Sequence, residues 1–185
     1  MKTLRRFTFI LTLPLWVASA LVHANNFDVH SLVLNVGGGK QFDASQDNQL
    51  VAFDVEWWAW NRSPRQTLSI GSSVAQWRTN ANMGAKVVNV VSIYPQLTLY
   101  YPQDFPVGKV FFQVRALGPS WLSENALGDR HQSRNFAFNA RLAAGIVTPN
   151  DWIISLSYQH ISNAGWSRTN DGWDSPINLA IGRRF

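Results

Sequence analysis

The chain has 185 residues, 46% of them hydrophobic and 15% charged, a balance that fits one domain burying apolar surface and not a disordered or coiled-coil chain. Cysteine is absent, which excludes a disulfide framework, thiolate metal sites and thiol nucleophiles. The formal net charge of +5 suggests a nucleic-acid partner only until the basic residues are located.

Three of those residues, Lys2, Arg5 and Arg6, stand at the extreme N-terminus, before an apolar run from Phe7 to Leu21 and a small-x-small sequence, Val22-His23-Ala24. Residues 1 to 24 are expected to be a secretory signal peptide. The run is short for a spanning helix, which needs about 20 residues, and Pro14 interrupts it. The expected mature domain is then 25 to 185, with 13 basic and 11 acidic side chains and a net charge of +2. Nucleic acid loses its support as a partner, and no later stretch is long and apolar enough for a membrane-spanning helix.

The mature domain is dominated by alternation of apolar and polar residues. Residues 31 to 37 alternate around Leu32, Leu34 and Val36, and 50 to 60 set Val51, Phe53, Val55 and Trp57 against Asp54, Glu56 and Trp58. Segments 67 to 78 and 87 to 101 come next, and Pro95 requires a bulge or a break in the second. In 109 to 117 the apolar set from Val110 to Ala116 opposes Gln113 and Arg115, and in 134 to 147 Phe136, Phe138 and Leu142 oppose Asn139 and Arg141. Segment 152 to 161 carries Trp152, Ile154, Leu156 and Tyr158 on one face. Segment 176 to 185 carries Ile177, Leu179, Ile181 and Phe185, as the last strand of bacterial outer-membrane barrels does.

Eight such strands predict an all-β fold: an eight-stranded antiparallel transmembrane β-barrel with a filled interior, in which Asp54 and Glu56 partner Arg115 and Arg141. The connections agree. Residues 38 to 49, 79 to 86, 118 to 133 and 162 to 175 form the longer, outer set, and 61 to 66, 102 to 108 and 148 to 151 the shorter, inner set. Tryptophans near strand ends, Trp77 among them, are expected in aromatic girdles. His30 and His131 lack a serine or acidic partner at recognisable spacing and read as surface residues.

The densest polar cluster is HISNAGWSRTNDGWD, residues 160 to 174. Extending the lipid-facing phase of strand seven by two steps puts His160 and then Ser162 on the outer face, about 7 Å apart at the backbone. Polar residues are common at strand ends, but this pair, with carboxylates nearby, is suited to nucleophilic ester chemistry. Asn-Ala-Gly and Asn-Asp-Gly are also good turn sequences.

The sequence resembles the lipid A 3-O-deacylase (PagL) family of outer-membrane esterases. The resemblance rests on His160-Ile161-Ser162-Asn163-Ala164-Gly165, which matches an H-x-S-N motif with small residues after it, and on Asn170-x-Gly172-x-Asp174. It implies hydrolysis of the ester that links an acyl chain to the 3-position of lipid A, with lipopolysaccharide as substrate and the outer membrane as location. It also implies Ser162 as nucleophile, His160 as general base and Asp174 as the acid that orients it, with Asn170, the Gly165 amide and Asn163 as oxyanion donors. Asp174 stands where the best-known members carry Glu. Strict alternation back from Phe185 points Asp174 inward, so a bulge near Pro176 is required; Asp171 is the substitute acid. Arg168, beside the cluster, is the candidate for phosphate contact. No cofactor is expected, and no metal-ligand spacing is seen. A non-catalytic structural or adhesive barrel, or an enzyme passing the acyl group to another acceptor, would show the same alternation.

Overall fold

The computed structural model describes residues 29 to 185; the expected signal peptide, 1 to 24, lies outside the described residues. Eight long strands close into an antiparallel barrel: β1 (Ser31–Lys40), β2 (Asp47–Ser63), β3 (Gln66–Thr79), β4 (Val87–Tyr100), β5 (Lys109–Leu122), β8 (Phe136–Val147), β9 (Trp152–Ser162) and β10 (Trp173–Arg184). Two short strands, β6 (Ala126–Leu127) and β7 (Arg130–His131), pair as a small hairpin in the longest connection. Each long strand pairs with its sequence neighbour, and β1 pairs with β10 to close the ring. Closure leaves the wall without a free sheet edge, as a barrel embedded in hydrocarbon requires.

Alternation sorts the residues as expected. Ile177, Leu179 and Ile181 are exposed on the outer wall while Asn178, Ala180 and Gly182 face inward. The interior is filled in layers. At the long-loop end Trp77, Trp173, Leu50, Val88, Val90, Leu127 and Ile161 form a buried cluster, and near the short turns Val33, Phe111, Val147, Ile153 and Ala180 form another. Between them Asp54 accepts from Arg115 at 2.8 Å, Arg141 at 2.7 Å and Asn35 at 3.0 Å. Glu56 accepts instead from Gln96, which itself accepts from Arg141 at 3.2 Å.

Three local expectations are corrected. A register shift between Glu56 and Trp58 reverses the phase of β2, so Trp58 and Trp60 join the exposed outer wall and do not share the face of Asp54. Trp77 belongs to no girdle, because residues 67 to 77 put their odd members inward, and it is fully buried. Pro95 neither bulges nor divides β4. The extra residue lies in β5, where Leu117 has φ of 52°, and Pro95 falls in the interval where the β4–β5 ladder is already out of register. A proline in that interval removes no regular ladder bond.

Candidate active site

The phase of β9 decides what its upper end presents. Trp152, Ile154 and Leu156 face outward, and continuing by twos brings Tyr158, His160 and Ser162 onto the same wall, each half-buried, while Gln159 and Ile161 fill the interior. His160 and Ser162 thus stand on the outside of the barrel at its long-loop end. On the adjoining strand β8 their partners are Ala140 and Phe138.

Asp174 reaches this face through an irregularity. The β10–β9 register shifts between Ser175 and Asn178, and above the shift Asp174 is directly opposite His160. Directly opposed residues of an antiparallel pair share a face, so the shift turns Asp174 outward against the alternation of Ile177, Leu179 and Ile181. His160 Nδ1 lies 2.8 Å from Asp174 Oδ1. That contact leaves Nε2 as the nitrogen able to accept a proton when Nδ1 carries one.

Three further residues hold the acid. The Tyr158 hydroxyl donates to Asp174 Oδ1, and Gln41 Nε2 donates to Oδ2 at 2.6 Å. Asn48 Nδ2 donates to the Asp174 carbonyl at 2.9 Å. The Tyr158 ring also stacks on the imidazole, with centroids 6.5 Å apart and planes 15° apart. None of the three was legible as part of the site, because Gln41 and Asn48 are distant in sequence and Tyr158 reads as one more lipid-facing aromatic.

The connection 163 to 172 folds around its own side chains. Asn163 Oδ1 accepts from the Gly165 amide at 3.0 Å, and its Nδ2 donates to Ser167 Oγ at 2.7 Å and to the Thr169 carbonyl at 2.6 Å. Of the three oxyanion donors that the resemblance implies, the Gly165 amide is engaged by Asn163 Oδ1, and Asn163 is buried with its Nδ2 bonded within the loop. Asn170 Oδ1 accepts from the Asn163 amide at 2.8 Å, and its Nδ2 has no partner among the described residues. Arg168 is exposed in the same loop.

Asp171 faces elsewhere. Its Oδ2 accepts from the His131 amide at 3.0 Å, which ties the loop to β7, and Arg130 Nε donates to the Gly172 carbonyl at 2.9 Å. Gly172 is packed on the imidazole: a Cβ there would come within 2.8 Å of His160 Cε1, at a φ of +42° that favours glycine. The substitute acid is thus not the one beside His160. A cleft of about 600 Å³ lies at the short-turn end beside His30, Tyr100, Lys109 and Arg184. It is far from this cluster, as expected if the substrate chain already lies in the membrane and needs no concave pocket.

A family model described as lipid A 3-O-deacylase (PagL) matches residues 47 to 181. The chain belongs to this family. Among solved structures, the crystal structure of the outer membrane enzyme PagL covers 84% of this chain and 99% of its own, at a TM-score of 0.64 and 18% identity, which is a likeness of fold. No curated protein matches the chain. Membership in the PagL family makes the protein an outer-membrane esterase acting on lipid A. The His160–Asp174 pair, with Ser162, lies on the outer wall at the long-loop end of the barrel.

Proposed function

We propose that the protein removes the 3-position acyl chain of lipid A by a Ser162–His160–Asp174 relay on the lipid-facing wall. The observation that carries this reading is the placement of Asp174, turned out of its strand's alternation to meet His160 beside Ser162. Ser162 Oγ attacks the ester carbonyl as His160 Nε2 takes its proton. The negative charge that develops on the carbonyl oxygen is met by Asn170 Nδ2. Collapse of this intermediate expels the sugar 3-oxygen, which receives the proton from His160, and leaves the acyl chain on Ser162. Water, deprotonated by the same imidazole, then releases the fatty acid. Asp174 holds the imidazole tautomer and stabilises its cation. Gly165 can contribute its amide only when Asn163 Oδ1 releases it. In this reading Arg168, exposed in the same loop, meets a lipopolysaccharide phosphate.

His160 and Ser162 share no hydrogen bond among the described residues, which is ordinary for a nucleophile and base before substrate binds. The test is mass spectrometry of lipid A from cells expressing the parent, Ser162→Ala or His160→Ala, with insertion checked by heat-dependent migration. Loss of deacylated lipid A with normal insertion supports the assignment, because neither side chain fills the interior. Near-parental deacylation by an inserted variant removes that residue from the relay.

A further inference from the structure

The upper part of β10 presents a physical problem. Alternation counted from Ile177 directs the Asp174 side chain into the barrel; the register shift turns it out, and its contacts above the shift fix where the carboxylate sits. One side chain grips this residue at both its main chain and its carboxylate. Gln41 Oε1 accepts from the Asp174 amide at 2.8 Å, while Gln41 Nε2 donates to Asp174 Oδ2 at 2.6 Å. The remaining capacity of the same carboxamide is also spent: Nε2 donates to the Phe42 carbonyl at 3.1 Å, and Oε1 accepts from Asn48 Nδ2 at 2.7 Å. With both donors and both acceptor positions used, the orientation of the group is fixed by its surroundings.

The grip continues inward. Gln46 Nε2 donates to Asn48 Oδ1 at 2.9 Å and to the Leu127 carbonyl at 3.2 Å, and Gln46 Oε1 accepts from the Asp129 amide at 2.9 Å. Gln41, Asn48 and Gln46 are all buried. They form a relay of amides from the β6–β7 hairpin to the acid. On the outer wall, the Tyr158 hydroxyl donates to Oδ1, the same oxygen that faces His160.

We propose that Gln41 and Tyr158 are positioning residues for the deacylation reaction, Gln41 holding Asp174 on the outer wall and Tyr158 fixing which oxygen lone pair faces His160. The proposal rests on the Ser162–His160–Asp174 reading above. The groups that face His160 are Asp174 from β10, Tyr158 from β9, the uncharged Ala140 from β8, and Gly172, whose carbonyl carries Arg130. Removing the Tyr158 hydroxyl frees the Asp174 carboxylate to turn, so the imidazole loses its fixed orientation toward Ser162.

The experiment uses the full-length protein, refolded in detergent, on purified lipopolysaccharide. Gln41→Ala and Tyr158→Phe are each made in the parent and in Asp174→Asn, and kcat and KM are measured with thermal unfolding as the folding control. Gln41→Ala is expected to lower kcat by about 10- to 100-fold with KM within about 2-fold. Tyr158→Phe is expected to lower kcat by about 3- to 10-fold with KM within about 2-fold. In the Asp174→Asn background each should cost less than about 2-fold more, since both act through the carboxylate. Equal losses in the two backgrounds, or near-parental kcat in the single variants, overturn the proposal. Should Gln41→Ala not fold, Tyr158→Phe carries the same decision alone, its ring lying on the outer wall. Full activity in Asp174→Asn itself would overturn the relay reading instead, which keeps the two failures distinct.

Discussion

Asp54 and Asp174 are both buried carboxylates that accept from several donors, yet they lie on opposite sides of the barrel wall. Asp54 points inward, at mid-depth, where Arg115, Arg141 and Asn35 all converge on its Oδ2 and every partner is buried. Asp174 points outward, and its principal partner is an imidazole one-third exposed, with a second nitrogen able to work on another molecule. Next to that imidazole stands Ser162, whose hydroxyl has no partner among the described residues. Charge density does not separate the two sites, because the interior network has more of it. What separates them is access: every partner of Asp54 is buried, whereas the outer set ends in an imidazole and a hydroxyl that are part-exposed on the wall.

The contrast is broken most directly at Asp174. Asp174→Asn keeps the size of the side chain but cannot balance an imidazolium, and kcat is expected to fall by about 10³- to 10⁴-fold while unfolding is little changed. The pair of measurements is deacylation of lipopolysaccharide and thermal unfolding of the purified barrel. Asp174→Glu sharpens the point. Because Asp174 is directly opposite His160 and already 2.8 Å from it, an added methylene must displace Gln41, and an intermediate loss is expected. The shorter acid is thus matched to its strand position.

Asp54→Ala should give the reverse pattern. It leaves Arg115 and Arg141 facing each other in the interior without their shared anion, a loss of about 3–5 kcal/mol of stability. Urea titration of the refolded protein reads it, and the fraction that does fold should deacylate at the parental rate. A fall in kcat per folded molecule would mean that the two carboxylates are coupled across the wall.

How much of this was legible depended on whether the alternation ran unbroken to the residue in question. On β9 it did: the phase set by Trp152, Ile154, Leu156 and Tyr158 continues to His160 and Ser162 without interruption. On β10 the phase counted back from Phe185 gave Asp174 the wrong face, and Pro176 was the visible sign that the count must fail; the shift falls between Ser175 and Asn178. On β2 the slip after Glu56 left no sign, because Trp57, Trp58 and Trp60 suit either face. Trp77 misled for a related reason: tryptophan is suited to a girdle, but the inner phase of β3 takes precedence over side-chain preference. Gln41 could not be read at all, since its partner is 133 positions away and a glutamine in a loop carries no pattern.

Gly172 offers a smaller, more local test of the outer site. Alanine there adds a Cβ 2.8 Å from His160 Cε1 and strains a positive φ, so the imidazole must move. A drop in kcat of roughly 10-fold is expected, on the order of 1 kcal/mol in the barrier, with insertion retained. Unchanged turnover would show that the ring has room to yield without losing its register with Ser162.

The smallest effect belongs to Asp171, and it is informative because Asp171 is the nearest alternative acid in the sequence. Its carboxylate is spent on the His131 amide at 3.0 Å, and its own amide donates to the His131 carbonyl at 3.0 Å, so it fastens the loop to the β6–β7 hairpin. Asp171→Asn keeps an oxygen acceptor for that amide, and turnover should stay within about 3-fold of the parent, with a stability loss of no more than about 1 kcal/mol. The measurement is kcat on lipopolysaccharide beside Asp174→Asn under the same conditions. Strong loss at Asp171 with indifference at Asp174 would transfer the orienting role to the loop. That outcome requires the backbone from 170 to 174 to rearrange, because Gly172 now fills the space beside the imidazole through which a carboxylate from Asp171 would have to pass.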